Sequence, residues 1–298
     1  MIKKYKISVP KSTLNEIYKK VRNFPWSAAQ NMNGWEYGTN LNYLKSISKY
    51  WITKYNWKKF ENKINSFKNY KTKVEDINLH FIFEKSKNPN SKPLLLLHGW
   101  PGSITEFLDI IPRLAHPEKF GGKIEDGFDV IVPSLPGFGF SSQIKKALGP
   151  RKIGKILNKF MVKNLGYKNY FVQGGDWGAT IAGWIGLDSS KNCKGIHINC
   201  LPLRHPKGTK NVKEKKWEKK FNFDQIMQEG YRTQQATKPQ TLSYAMIDSP
   251  VGTAAWILEK FHGWSDLKMG KIEKTFSKDE LLSNIMIYII TKSFNTAS

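Results

Sequence analysis

Four short apolar runs, each closed by glycine or proline, constrain this chain more than anything else in it. Leu94-Leu95-Leu96-Leu97 ends in His98-Gly99-Trp100-Pro101-Gly102, and Asp129-Val130-Ile131-Val132 runs into Pro133-Ser134-Leu135-Pro136-Gly137. Tyr170-Phe171-Val172-Gln173 stops at Gly174-Gly175, and Ile196-His197-Ile198-Asn199-Cys200 stops near Pro202. Helix-length stretches separate the runs. Strands apolar on both faces that alternate with helices build a parallel sheet from βαβ units, so all four are read as buried strands. In such sheets ligands meet the carboxyl ends of the strands. Those ends are where this chain places its glycines.

The runs divide the sequence into three regions. Residues 1–92 are a polar, aromatic-rich lead segment. Leu14, Ile17, Tyr18 and Val21 recur at helical spacing behind Ser12 or Thr13 as caps, and Leu41, Leu44, Ile47, Tyr50 and Trp51 mark a second helix. Val74, Ile77, Leu79, Phe81 and Phe83 alternate, which predicts one or two strands. Residues 93–205 hold the sheet motifs. Residues 206–298 read as a helical cap region, entered through a basic, solvated connector at 206–220.

Charge is lopsided, at 48 Lys+Arg against 24 Asp+Glu for a net +24. Only five of the cations are arginine, and the lysines are spread over the whole length. Proteins that read nucleic acid cluster their charge and lean on arginine, so no nucleic-acid partner is expected. No apolar run reaches the ~18 residues of a membrane span. Met1-Ile2-Lys3-Lys4-Tyr5-Lys6 has no apolar stretch behind it, so it is not a secretory signal. With two cysteines and no framework for disulfides, the expectation is a cytoplasmic protein.

Chemistry concentrates in Gly174-Gly175-Asp176-Trp177-Gly178. The segment leaves a strand and enters a helical run of Ala179, Ile181, Ala182, Trp184 and Ile185. A strand-to-helix turn of the form Gly-x-nucleophile-x-Gly is the nucleophile elbow of α/β-hydrolases, with Gly174 and Gly178 where the turn is too tight for side chains. The central residue here is a carboxylate. A carboxylate attacks carbon by displacement and leaves an alkyl ester that water then hydrolyses. The matching electrophiles are epoxides or carbons bearing a halide. His98-Gly99-Trp100-Pro101, at the end of the first core strand, is the second piece. The backbone N–H of Trp100, with that of Trp177, is placed to form an oxyanion hole. His98, Gly99, Pro101, Gly174 and Gly178 support the two turns.

Taken together these motifs resemble the epoxide hydrolase family of the microsomal and juvenile-hormone type. The resemblance includes Trp35-Glu36-Tyr37-Gly38, Tyr50-Trp51 and Tyr55-Asn56-Trp57 in the lead segment, and residues 133–141 in the core. It continues through Gly230-Tyr231, residues 235–239 and residues 248–252. It implies an α/β-hydrolase core with a mostly parallel sheet, a helical cap and an N-terminal wrapping segment. It implies that a small lipophilic epoxide is opened to a diol through an ester on Asp176, without a cofactor, in detoxification of xenobiotics or breakdown of juvenile hormone. Tyr231 resembles one of two cap tyrosines that hydrogen-bond the epoxide oxygen and act as general acid. Microsomal members carry a membrane helix, so association with the endoplasmic reticulum membrane is the alternative to a cytoplasmic location.

The family completes its site with a carboxylate and a histidine beyond the cap, and this sequence ends at Asn295-Thr296-Ala297-Ser298 before either. After Asp176 the histidines are His197, His205 and His262, each read as structural. The expectation is that the last part of the core is missing, that ester formation survives in part, and that ester hydrolysis loses ~10²–10⁴-fold. Two other readings stay open at this point. A haloalkane dehalogenase also sets Trp after the elbow Asp, although the lead segment and Tyr231 argue against it. A non-catalytic binder, alkylated once by an epoxide, fits the absent base. Cys193 and Cys200 flank His197 without the paired spacing of a zinc site, so no metal is expected. Gly137-x-Gly139 lacks the third glycine of a dinucleotide fingerprint, so no cofactor is expected.

Overall fold

The apolar runs lie side by side in one seven-stranded sheet. A computed structural model describes residues 1–30, 34–200 and 208–297. Its strands are β1 (Lys3–Lys4), β2 (Asn69–Val74), β3 (Ile77–Glu84), β4 (Lys92–Leu97), β5 (Phe128–Pro133), β6 (Tyr170–Gly174) and β7 (Cys193–Ile198). The α-helices of the first half are α1 (Lys11–Arg22), α2 (Leu41–Thr53), α3 (Trp57–Asn65), α4 (Ile111–Ala115), α5 (Pro150–Lys159) and α6 (Trp177–Asp188). Those of the second half are α7 (Val212–Gln228), α8 (Gly230–Thr237), α9 (Pro239–Asp248), α10 (Pro250–Gly263), α11 (Lys278–Thr291) and α12 (Phe294–Ala297).

Strand order is β1-β2-β3-β5-β4-β6-β7. Strand β4 lies parallel to β5 on one side and to β6 on the other, and β7 continues parallel beside β6. The chain therefore moves one way from β4 to β5 and returns across β4 to reach β6. That reversal opens a crevice at the carboxyl ends of β4 and β6, where ligands bind in open α/β sheets. Leu95, Leu96, Leu97, Val130, Ile131 and Val132 fill the centre and are fully buried. Strand β7 departs from expectation, because Ile196 and His197 are exposed. It pairs with β6 alone among the described residues, so the fourth apolar run is an edge strand.

The alternating stretch of the lead segment forms β2 and β3, an antiparallel pair that joins the sheet through β5. Helix α1 begins at Lys11 behind Pro10, so Ser12 and Thr13 lie inside the helix and neither caps it. Proline's fixed φ starts the helix without a side-chain acceptor. Helix α2 is capped by Asn40, whose Oδ1 accepts from the Tyr43 N–H at 2.9 Å. Helices α1 and α2 pack on α10, and α2 and α3 pack on α11, so the lead segment and the C-terminal helices hold one another. The expected connector at 206–220 is mostly helical too, because α7 starts at Val212. Asn211 caps it by accepting from the Glu214 N–H, and its lysines are good helix formers once the start is fixed. The expected boundary at 205–206 and His205 itself lie outside the described residues. Among those residues no helix is long and apolar enough to cross a membrane.

A buried carboxylate ties the lead segment together. Glu61 accepts from the Val9 N–H at 2.8 Å, from the Trp57 indole at 2.9 Å and from the Lys58 ammonium at 2.7 Å. Burial pushes its pKa up, but Lys58, the Val9 amide and the Trp57 indole outweigh that and hold it below the usual glutamate value. A carboxyl held low in the folded state adds stability above its unfolded pKa, and that stability is lost as pH falls through the lower folded value. Glu61→Gln is expected to lower unfolding stability by about 1–3 kcal/mol at neutral pH and to flatten the acid limb of a melting-temperature profile. An acid limb identical in both proteins would refute this account.

Candidate active site

Strands β4 and β6 pair with Leu97 opposite Gly174, which sets the loop after one against the turn after the other. Asp176 caps α6 with φ +50° and ψ −124°, a backbone conformation that costs a non-glycine residue of order 1–3 kcal/mol. A Cβ on Gly174 would overlap the Gly178 carbonyl, and one on Gly178 would overlap the carbonyl oxygen of Leu97. The two glycines are there because backbone passes against backbone on both sides of the bend. The bend aims the Asp176 carboxylate at the β4 loop, where Oδ1 accepts from the Trp100 N–H at 2.8 Å. The Trp177 N–H also bonds this carboxyl. Burial raises the Asp176 pKa, and the two amides offset part of the rise.

His98 fixes the loop from behind. Its Nε2 accepts from the Leu135 N–H at 3.1 Å, and Nδ1 lies 3.3 Å from the Gly99 carbonyl oxygen. Burial holds its pKa down to about 4, so the ring is neutral and joins the two strand-end loops. Gly99 lies under the Asp176 carboxylate, which occupies the space a side chain there would need.

An aromatic cluster stands on the Trp100 loop. Tyr231, at the start of α8, stacks on Trp100 with ring centroids 5.2 Å apart and planes 8° from parallel. Trp264 meets Tyr231 at 4.8 Å. The Lys260 ammonium lies 4.8 Å from the Tyr231 ring centre and pairs with Glu259 at 2.6 Å; its side chain is only 3% exposed. Burial, and then the charge of Asp176, raise the Tyr231 pKa, so the phenol keeps its proton beside a carboxylate. Trp177 is 47% exposed and Asp176 is itself reached by water, so the cleft is open on the elbow side.

Three residues that sequence reasoning missed complete the site. Asn284 Nδ2 donates to the Pro101 carbonyl and the Tyr288 hydroxyl to the Gly102 carbonyl, each at 2.7 Å, so α11 grips the loop that carries the Trp100 amide. Ser103 Oγ donates to Asn284 Oδ1 at 2.8 Å. Glu106 is the third. Burial and the charge of Asp176 push its carboxyl up to about 8, against the backbone amides of Gly99 and Ser103 that bond it. A signal was present for two of them: Asn284 and Tyr288 stand four apart inside a wholly buried helical run, where polar groups need partners. The histidines stay apart from the carboxylate. His197 is exposed on β7, His262 stacks on Trp35 at 3.9 Å, and no histidine acts on the Asp176 carboxyl among the described residues.

Residues 2–107 match the family described as "Epoxide hydrolase N terminus", and residues 92–271 match "alpha/beta hydrolase fold". Epoxide hydrolase 1 of Oryctolagus cuniculus is 36% identical over 98% of this chain and 70% of its own length. The chain belongs to the epoxide hydrolase family. Juvenile hormone epoxide hydrolase 1 of Ctenocephalides felis is 34% identical over 99% of this chain and 68% of its own. The crystal structure of juvenile hormone epoxide hydrolase from the silkworm Bombyx mori superposes with a TM-score of 0.89 at 31% identity, covering all of this chain and 75% of that one. The chain thus spans about two thirds of the length of its curated relatives. An α/β-hydrolase core with a mostly parallel sheet and a seam of helices is the fold they share with it.

Proposed function

We propose that this chain opens a small lipophilic epoxide by forming an ester on Asp176. The observation that carries the reading is the Asp176 carboxylate itself, strained at its bend and held by the Trp100 amide with a protonated Tyr231 nearby. Oδ2 attacks an epoxide carbon and the C–O bond of the ring breaks. The departing oxygen takes the Tyr231 proton, and the phenolate recovers one from water. Oδ1 is left as the ester carbonyl oxygen. Water attacking Cγ turns Oδ1 into an oxyanion that the Trp100 and Trp177 amides stabilise, a contribution of ~10²–10³-fold per donor. On collapse the Cγ–O bond to the alkyl group breaks, and the leaving alkoxide takes the proton lost by the attacking water to complete the diol. The Asp176 acid so formed gives its proton to the hydroxide left when water reprotonated Tyr231. The walls of Trp100, Tyr231 and Trp264 favour an apolar substrate, and relatives named as juvenile hormone epoxide hydrolases support that choice.

Incubation with styrene oxide is expected to give a one-to-one adduct on the peptide containing Asp176, read by intact and tryptic mass spectrometry. Breakdown in ¹⁸O-water is expected to leave label in the Asp176 carboxyl. No adduct, or one mapped to another residue, refutes the proposal. Halide released from a chlorinated alkane without epoxide opening would favour the dehalogenase reading instead.

A further inference from the structure

We propose that Lys260 is a positioning residue, whose buried ammonium holds the Tyr231 ring flat on Trp100 and so sets where the phenol stands relative to Asp176. The inference rests on the reading of Tyr231 as the acid of ring opening. Tyr231 lies at the start of α8, a helix with no buried residue whose main helical neighbours are α7 and α9. Its ring reaches the Trp100 loop through the parallel stack on the Trp100 indole. A stack of two flat faces fixes their spacing and leaves sliding and in-plane turning open. Lys260 closes that freedom from a rigid base. It stands near the end of α10, which packs on α1, α2, α9 and α11 and buries Val251, Ala254, Ile257 and Leu258.

An ammonium carries three donors, and among the described residues the one acceptor within hydrogen-bond distance of this one is Glu259 Oε1, at 2.6 Å. Aromatic faces supply the rest. The ring centres of Tyr231, Trp264 and Trp256 lie 4.8, 5.6 and 5.9 Å from Nζ, within the range at which a ring face attracts a cation. The Lys260 carbonyl also accepts from the Trp264 N–H at 3.0 Å, so the same residue places that indole. Because the side chain is buried, little water is at hand to replace the rings, and leaving them would strand a desolvated charge. The attraction is directional. It keeps the Tyr231 ring face-on to Nζ, whereas an apolar neighbour of the same size would only fill space. Placement matters here because the phenol has to meet the oxygen that departs when Asp176 attacks, and a misplacement of ~1 Å can cost ~10²-fold.

The test is a double-mutant cycle, read as the rate of styrene oxide adduct formation on Asp176 across epoxide concentration. Lys260→Met keeps the stem and drops the charge; Tyr231→Phe keeps the ring and drops the proton. Tyr231→Phe is expected to slow adduct formation ~10²-fold. Lys260→Met is expected to slow it ~10-fold at saturating epoxide while shifting the half-saturating concentration less than ~3-fold. Lys260→Arg, which keeps a cation for the rings, should recover most of that rate. In the Tyr231→Phe background, Lys260→Met should add less than ~2-fold, because no proton is left to misplace. Equal slowing with and without the phenol overturns the proposal, and so does an Arg variant no faster than the Met one. A parent protein that forms no adduct, or a Tyr231→Phe protein that forms it at the parent rate, removes the reading of the site alone. Hydrogen exchange then decides on Lys260. Amides of 229–237 are expected to exchange ~10-fold faster in Lys260→Met while those of α10 keep their protection, and unchanged exchange in 229–237 counts against the proposal. Should Lys260→Met not fold, Glu259→Gln, which weakens the hold on the ammonium, takes its place in the cycle with a smaller loss expected.

Discussion

Asp176→Asn is expected to abolish the epoxide adduct and to raise the melting temperature at the same time. Losing a carbon-directed nucleophile leaves binding and the two amides but no bond-forming group, a loss of ~10⁴-fold or more in ester formation. Stability moves the other way. Burial raises the folded pKa of Asp176 above its unfolded value, so stability is highest below the unfolded pKa and falls as pH rises through the folded one. The amide removes that loss, and it also relieves Glu106 of its charged neighbour. The two melting curves should meet in acid and separate near neutrality, with the variant the higher, by an amount that solvent at the exposed side chain keeps small. Calorimetry across pH, beside intact-mass measurement, checks both halves. A variant that still forms the adduct, or that melts lower at pH 7, contradicts the account.

How far the sequence reaches is clear from particular residues. The elbow was legible because its glycines answer a local demand: backbone passes backbone at Gly174 and Gly178, and no other residue fits. Asp176 and the amides of Trp100 and Trp177 followed from that turn and from the loop after β4. The pairing of Leu97 with Gly174 brings the two pieces together, and reading the two amides as one oxyanion hole presupposed that the two strand ends meet without giving their register. Tyr231 also came from resemblance, since nothing in its local spacing points at a strand end 55 or more positions earlier in the chain.

Other contacts were hidden because they join distant segments. Asn284 reaches Pro101 across 183 positions and Tyr288 reaches Gly102 across 186, and neither pairing leaves a local trace. Glu106 belongs to no motif, and its character comes from burial and from the charge of Asp176, far along the chain. Helix α7 was read as a connector because its lysines suggested solvation, whereas the same residues favour a helix behind an Asn cap. Strand β7 looked buried because Ile196 and Ile198 are apolar. Burial depends on a neighbouring strand, and composition does not supply one.

Gly178→Ala is expected to destabilise the fold strongly, because its methyl group would meet backbone of the facing strand end rather than a flexible side chain. A Cβ at position 178 would overlap the Leu97 carbonyl and stand 2.9 Å from the carbonyl oxygen of His98, and both are backbone at the end of β4. A flexible side chain could swing aside. These carbonyls cannot, because Leu97 is held in register against Gly174 and His98 is anchored through Leu135. Relief must come from moving α6 away from β4, which tears at the packing of Ile181, Ala182 and Ile185 beneath it. A strain of about 3 kcal/mol follows, a drop of roughly 6–12 °C in melting temperature for a chain of this size. Moving α6 also withdraws Asp176 from the Trp100 amide, so adduct formation should fall ~10²-fold even in the folded fraction. Gly183→Ala, on the same helix with open space around it, is the control and should melt within about 1 °C of the parent or slightly above it. Equal melting of the two variants would mean that α6 does not press on the end of β4, and the strained bend would lose its cause.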